Sequence, residues 1–126
     1  CWVGVSATNW MQFSNALGYL APVQLKASVK FISFEPLLER VQFDMMQQML
    51  FRSSINWLII GQQTPIKAST TPRIEWVKEI VEAADKAGCA VFLKDNLIPI
   101  FEKHDFKSTP EWALDNRRYY RQELPV

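Results

Sequence analysis

Residues 56–65, NWLIIGQQTP, limit most sharply what this chain can fold into. A run this short, rich in Ile and Trp and closed by Gly61 and Pro65, reads as a strand buried on both faces rather than as a helix. Gln62, Gln63 and Thr64 crowd its exit. The same asymmetry, apolar along the strand and polar where it stops, recurs in three other places. Open α/β sheets and α/β barrels hold their ligands at such strand ends.

The first of the other strands is residues 2–6, WVGVS, whose exit is Ser6, Ala7, Thr8 and Asn9. Asn9 is placed to cap a helix over residues 10–20, which Gly18 weakens and Pro22 stops. Residues 23–28 then connect to a strand over 29–35. Its alternation puts Val29, Phe31, Ser33 and Glu35 on one face and Lys30, Ile32 and Phe34 on the other. Ile32 and Phe34 suit the face packed on helices, so Ser33 and Glu35 are expected to point inward at the carboxyl end. Glu35, held by the stiff bond to Pro36, is either a site residue or a carboxylate that caps a loop or pairs with a lysine.

A helix is expected over residues 44–52, opened by Asp44, with Met45, Met49 and Leu50 as its apolar face and the methionines as core filler. After the central strand and a polar loop over 64–71 comes the clearest helix. Thr71 reads as its N-cap, Pro72 as its first position, and Ile74, Val77, Ile80, Val81 and Ala84 recur at helical spacing. Glu82 and Lys86 are spaced to pair on the wet face, and Gly88 ends the helix. The last strand, residues 90–94, exits through Asp95 and Asn96. Beyond it, residues 97–101 read as a short turn interrupted by Pro99, and His104, between Lys103 and Asp105, as solvated surface rather than a ligand. Residues 117–121 interleave three arginines with Tyr119 and Tyr120, a mix that can stack on bases or grip phosphate. With so little net charge, this tail is expected to cover the flank or bottom of a barrel instead.

Strand, helix, strand, helix, strand, helix, strand is the signature of consecutive βα units joined by right-handed crossovers into a parallel sheet. Four such strands do not close a barrel, and the inward polar positions favour part of a (β/α) TIM-like barrel over a flavodoxin-like sheet. Its edges are expected to be open, and to be paired by a missing N-terminal half or by another subunit. At 126 residues the chain is one domain's worth. It has no initiator Met and opens inside a strand, as the carboxyl-terminal half of a larger protein would. A formal charge of +1 argues against a dedicated nucleic-acid surface, though not against a nucleic-acid substrate. Without an apolar run of membrane-spanning length or a signal peptide, a cytoplasmic setting is the default. Cys1 and Cys89 form no metal-ligand spacing, so no metal site is expected, and Cys89 reads as a small buried hydrophobe.

Taken together, WVGVS, FISFEPLL, NWLIIGQQT, the helix opening TPRIEWVKEIVEAADKAG, AVFLKDN and the closing RQELP resemble the later half of a phage- and prokaryote-associated family of unknown function related to the radical S-adenosylmethionine enzymes. The resemblance covers nearly the whole chain, and FEPLL and FLKDN are its most specific parts. It implies a partial barrel whose first half binds a [4Fe-4S] cluster through three closely spaced cysteines, with S-adenosylmethionine on the open face. That cysteine motif is absent here, and two cysteines cannot replace three converging thiolates. Neither cofactor is therefore expected in this fragment, which is not expected to be active alone. On this resemblance the cofactor- and substrate-binding residues are Ser6 and Thr8 for ribose or carboxylate oxygens, Glu35 for a ribose hydroxyl or an amine, Gln62 and Gln63 for polar edges, and Lys94 for an anionic group or for Glu35 itself. The family's Gly-rich acidic turn is replaced by Gln62, Gln63 and Thr64, which weakens the role of that loop. A non-catalytic α/β domain that binds a small molecule or a protein partner fits the same rim of Ser, Glu, Gln and Lys.

Overall fold

A computed structural model describes residues 2–20, 29–41, 50, 55–102 and 109–125. Strands β1 (Trp2–Ser6), β2 (Val29–Phe34), β3 (Trp57–Ile60) and β4 (Ala90–Leu93) pair in the order β1-β2-β3-β4, every pair parallel. Three α-helices are described: α1 (Trp10–Leu20), α2 (Ile74–Ala87) and the single turn α3 (Ile98–Phe101). The fold is α/β and the sheet is open, since β1 and β4 do not meet. No helix among the described residues is long and apolar enough to cross a membrane.

The register explains where the core sits. Val5, Ile32, Leu58 and Val91 form one row across the sheet, and Phe34, Ile60 and Leu93 another. Phe13 and Ala16 of α1 and Val77, Ile80, Val81 and Ala84 of α2 close on these rows in one buried cluster. Right-handed crossovers between parallel strands in sequential order bring both helices to this face. Full burial of each large apolar side chain contributes about 2 kcal/mol before entropy is counted. The opposite face carries Trp2, Phe31, Trp57 and Phe92, with Trp57 edge-on to the other three rings. Phe31 lies across Gly4, where a Cβ would fall 2.3 Å from the ring.

Several expectations need correction. Helix α2 starts at Ile74 with Arg73 as its N-cap, so Thr71 is not the cap and Pro72 is not in the first turn. The Thr71 hydroxyl instead donates to the Lys67 carbonyl at 2.8 Å, tying down the 3-10 turn Ala68–Thr70. Strands β2 and β4 each stop one residue early, leaving Glu35 and Lys94 just beyond them. Glu35–Pro36 is a cis peptide, as is Thr64–Pro65. The outer edge of β4 is not open: Leu93 N–H donates to the Arg121 carbonyl at 2.8 Å and Glu123 N–H to the Val91 carbonyl at 2.9 Å. The arginine-rich tail thus runs antiparallel along this flank, with Phe92 opposite Gln122. Gly88 ends α2 in the left-handed region at φ 77°, as predicted. On the wet face of α2, Glu82 lies 3.7 Å from Lys78. Cys1, Pro22, the connector 23–28, the helix expected over 44–52 apart from the buried Leu50, and His104 lie outside the described residues.

Candidate functional site

The backbone ladder continues past the carboxyl ends of three strands. Gly61 N–H donates to the Phe34 carbonyl at 3.0 Å, Lys94 N–H to the Ile60 carbonyl at 2.9 Å, and Leu37 N–H to the Gly61 carbonyl at 3.0 Å. Glu35, Gly61 and Lys94 are therefore held abreast. With only hydrogen on the Gly61 Cα, the two flanking side chains reach across it, and Lys94 Nζ lies 2.8 Å from each carboxylate oxygen of Glu35. A Cβ at position 61 would sit 3.0 Å from Glu35 Oε2 and 3.1 Å from Lys94 Cδ. The glycine is what lets the bridge form.

This pair stands at the edge of water, the Lys94 side chain 41% and the Glu35 side chain 32% exposed. An ion pair in that setting contributes little to stability and can exchange partners. Chemically it offers a carboxylate that accepts from an ammonium or hydroxyl and an ammonium that donates to an anion. Ser6 lies in register with Ser33 and is exposed, and alternation puts both on the face of the sheet that Glu35 and Gly61 share. Ser6, Glu35 and Lys94 are thus brought to one side of one rim.

Thr8 and Gln62 are held by other partners. Thr8 donates from both its N–H (2.7 Å) and its hydroxyl (2.8 Å) to Gln12 Oε1, while Gln12 N–H donates to Asn9 Oδ1 at 2.9 Å. This is a reciprocal cap at the start of α1, with Asn9 in its predicted role. Gln62 follows Ile60 rather than Ile59, so its side chain turns toward the helical layer and is buried. Its N–H donates to Asn96 Oδ1 at 3.1 Å, Asn96 Nδ2 donates to its carbonyl at 3.1 Å, and its own Nε2 donates to the Asn96 carbonyl. The sequence presents Asn96 only as part of a strand exit. It is the residue that locks the ends of β3 and β4 together, and nothing local marks it for that. Gln63 is half-buried in the same loop. Asp95 does not pair with Lys94 but accepts from Gln122 Nε2 at 2.7 Å, which holds the tail.

At the amino end of the sheet, Cys89 donates from Sγ to the Ile55 carbonyl at 3.0 Å. Burial pushes its thiol up to about 11, so Cys89 is an inert buried group, as expected, and the strand separates it from the rim. Arg121 donates to Asp85 at 2.7 Å and to Glu123 at 3.1 Å. Burial alone would lower the Arg121 pKa, but hydrogen bonds and charge from Asp85 and Glu123 outweigh it and raise it. Arg118 pairs with Glu111 at 3.1 Å, and the Arg117 guanidinium lies 5.7 Å over the Tyr119 ring.

A family described as "Protein of unknown function (DUF5131)" matches residues 1–119. No curated protein and no solved structure matches the chain.

Proposed function

The chain belongs to the DUF5131 family, whose function is unknown, and we propose that it binds a polar small molecule at the carboxyl rim of its sheet. In this reading it is one half of a (β/α) barrel of the radical S-adenosylmethionine type, with S-adenosylmethionine as the ligand. The observation that carries it is the Glu35–Lys94 pair across Gly61. The ligand's ammonium or ribose hydroxyls suit Glu35, its carboxylate suits Lys94, and Ser6 adds a hydroxyl on the same face. Support for the barrel comes from the strand order, which never reverses, and, among the described residues, from a helical layer on one face; doubly wound sheets reverse order and carry helices on both. When bound, S-adenosylmethionine supplies a sulfonium whose carbon–sulfur bond can be cleaved, and the residues here hold and orient it.

The iron–sulfur cluster does not fit these residues. It needs three converging thiolates, the chain has two cysteines, and the Cys89 thiol is protonated, buried and at the wrong end of the strand. No step of the reading runs through it.

One feature favours the second reading, a non-catalytic domain that binds a small molecule or protein partner: Glu35 and Lys94 already satisfy each other. Titration of the intact gene product with S-adenosylmethionine, followed by NMR, separates the two. The first reading expects shifts at Ser6, Glu35, Gly61 and Lys94 that Glu35→Ala weakens without loss of fold. A rim that stays silent, or an affinity unchanged in Glu35→Ala, removes it. Iron and sulfide in the intact gene product prepared without oxygen would weigh against the second.

A further inference from the structure

On the helical side of the sheet, a cavity of about 480 Å3 lies between the loop after β3, the start of α2, and α3. That volume falls within the roughly 300–1,000 Å3 of small-molecule sites. Ile66, Pro72, Ile74, Pro99 and Ile100 make most of its wall apolar. Ile66 and Pro99 are exposed, so this apolar wall can be reached from water.

Two charged residues, Arg73 and Glu75, stand on the same lining, and both are exposed. Among the described residues, neither the Arg73 guanidinium nor the Glu75 carboxylate makes an ion pair or a hydrogen bond, with the other or with a third group. The charges further along α2 differ: Lys78 pairs with Glu82, Glu79 with Arg40, and Asp85 with Arg121. The neutral polar groups of the lining are spent or shut away, since the Thr71 hydroxyl donates to the Lys67 carbonyl at 2.8 Å and Gln62 is only 2% exposed. What a ligand can reach is an apolar surface flanked by one cation and one anion. A simple anion would gain Arg73 but meet the like charge of Glu75, and a simple cation the reverse. A neutral apolar molecule would cover the isoleucines while stripping water from part of both charges. A zwitterion with an apolar body matches all three features.

We propose that this cavity binds a free α-amino acid with a large apolar side chain. Its carboxylate meets Arg73, whose planar donors suit that group, and its ammonium meets Glu75. Its side chain lies against the isoleucines and prolines. The ligand's two charges share one carbon, and the exposed Arg73 and Glu75 side chains are long enough to close on both. The site is separate from the Glu35–Lys94 rim, since Ile74 packs with the helical layer and Glu35 projects from the opposite face, so either proposal can fail alone.

The test uses L-phenylalanine and two analogues that each lack one charge: 2-phenylethylamine, without the carboxylate, and 3-phenylpropanoate, without the ammonium. Each is titrated into the intact gene product while the methyl signals of Ile66, Ile74 and Ile100 are followed by NMR. L-Phenylalanine is expected to bind roughly three- to fivefold tighter than either analogue, the effect of one solvent-exposed charge pair. Arg73→Gln should remove its advantage over 2-phenylethylamine and keep that over 3-phenylpropanoate, and Glu75→Gln should do the reverse. Both side chains are exposed, so neither change disturbs the core. An analogue that binds as tightly as L-phenylalanine, an advantage that survives in its matching variant, no binding of the amino acid, or shifts at Gly61 and Lys94 in place of the isoleucines would each overturn the proposal.

Discussion

The two ends of the parallel sheet hold their polar groups in different ways. At the amino end, Arg121, its side chain 12% exposed, donates to two carboxylates at once. Beside it, Trp57 Nε1 donates to the Glu123 carbonyl at 2.8 Å, Cys89 Sγ to the Ile55 carbonyl at 3.0 Å, and Lys30 N–H to Asn56 Oδ1 at 2.9 Å. Each of these groups is tied to a segment distant in sequence. At the carboxyl end, one lysine and one glutamate face each other in the open across a glycine. A network that ties several segments together resists exchange of partners, whereas a single pair yields to a better-placed ligand. The contrast accords with stability held at the amino end and with the binding proposed for the carboxyl end.

The largest test of that contrast is Trp57→Ala. It removes three edge-on ring contacts and the anchor of Glu123, and it should cost about 3–5 kcal/mol in a denaturant titration. A loss under about 1 kcal/mol would mean the amino end is not what holds the fold. Next is pH. The Cys89 thiol is raised from 9.0 to about 11 by burial, so the fold favours its neutral form. Its contribution is complete below pH 9 and declines as the unfolded chain ionises between pH 9 and about 11, by up to about 3 kcal/mol. The difference between the unaltered chain and Cys89→Ala over that range isolates it from other titrating groups. Arg121→Met should cost about 2 kcal/mol, because Asp85 and Glu123 lose a shared partner but stay half in water.

What was legible in the sequence was local. Short apolar runs gave the four strands, alternation along β2 put Ile32 and Phe34 beneath the helices, and Asn9 and Gly88 marked a helix start and a helix end. What was not legible depends on a partner far along the chain. Thr71 has the residue type and spacing of a cap, yet the Lys67 carbonyl claims its hydroxyl. The tail covers the β4 edge through backbone bonds that no composition announces. The site was half legible. Glu35 and Lys94 stand out at strand exits, and by position alone Gln62 falls in with them because all three follow a strand. Counting alternation one step further would have separated them, since Gly61 goes with Ile59 and Gln62 with Ile60. The bridging role of Gly61 needed the distances.

The smallest expected change in stability is at the rim, and it is the sharpest test of the contrast. Lys94→Met should alter stability by less than about 1 kcal/mol, and the difference should shrink as salt is added, because both partners are open to water. Gly61→Ala should do as little to stability, since the atoms a Cβ would crowd, Glu35 Oε2 at 3.0 Å and Lys94 Cδ at 3.1 Å, belong to flexible side chains that can give by a few tenths of an ångström. Each change nonetheless spoils the arrangement a ligand would meet: one removes the cation, the other pushes a methyl group between cation and carboxylate. If the rim binds, both variants lose affinity for S-adenosylmethionine out of proportion to their stability, which no amino-end variant should do. A Lys94→Met loss of several kcal/mol, or one unmoved by salt, would show that the two ends are built alike, because a pair that holds the fold together is not free to be displaced.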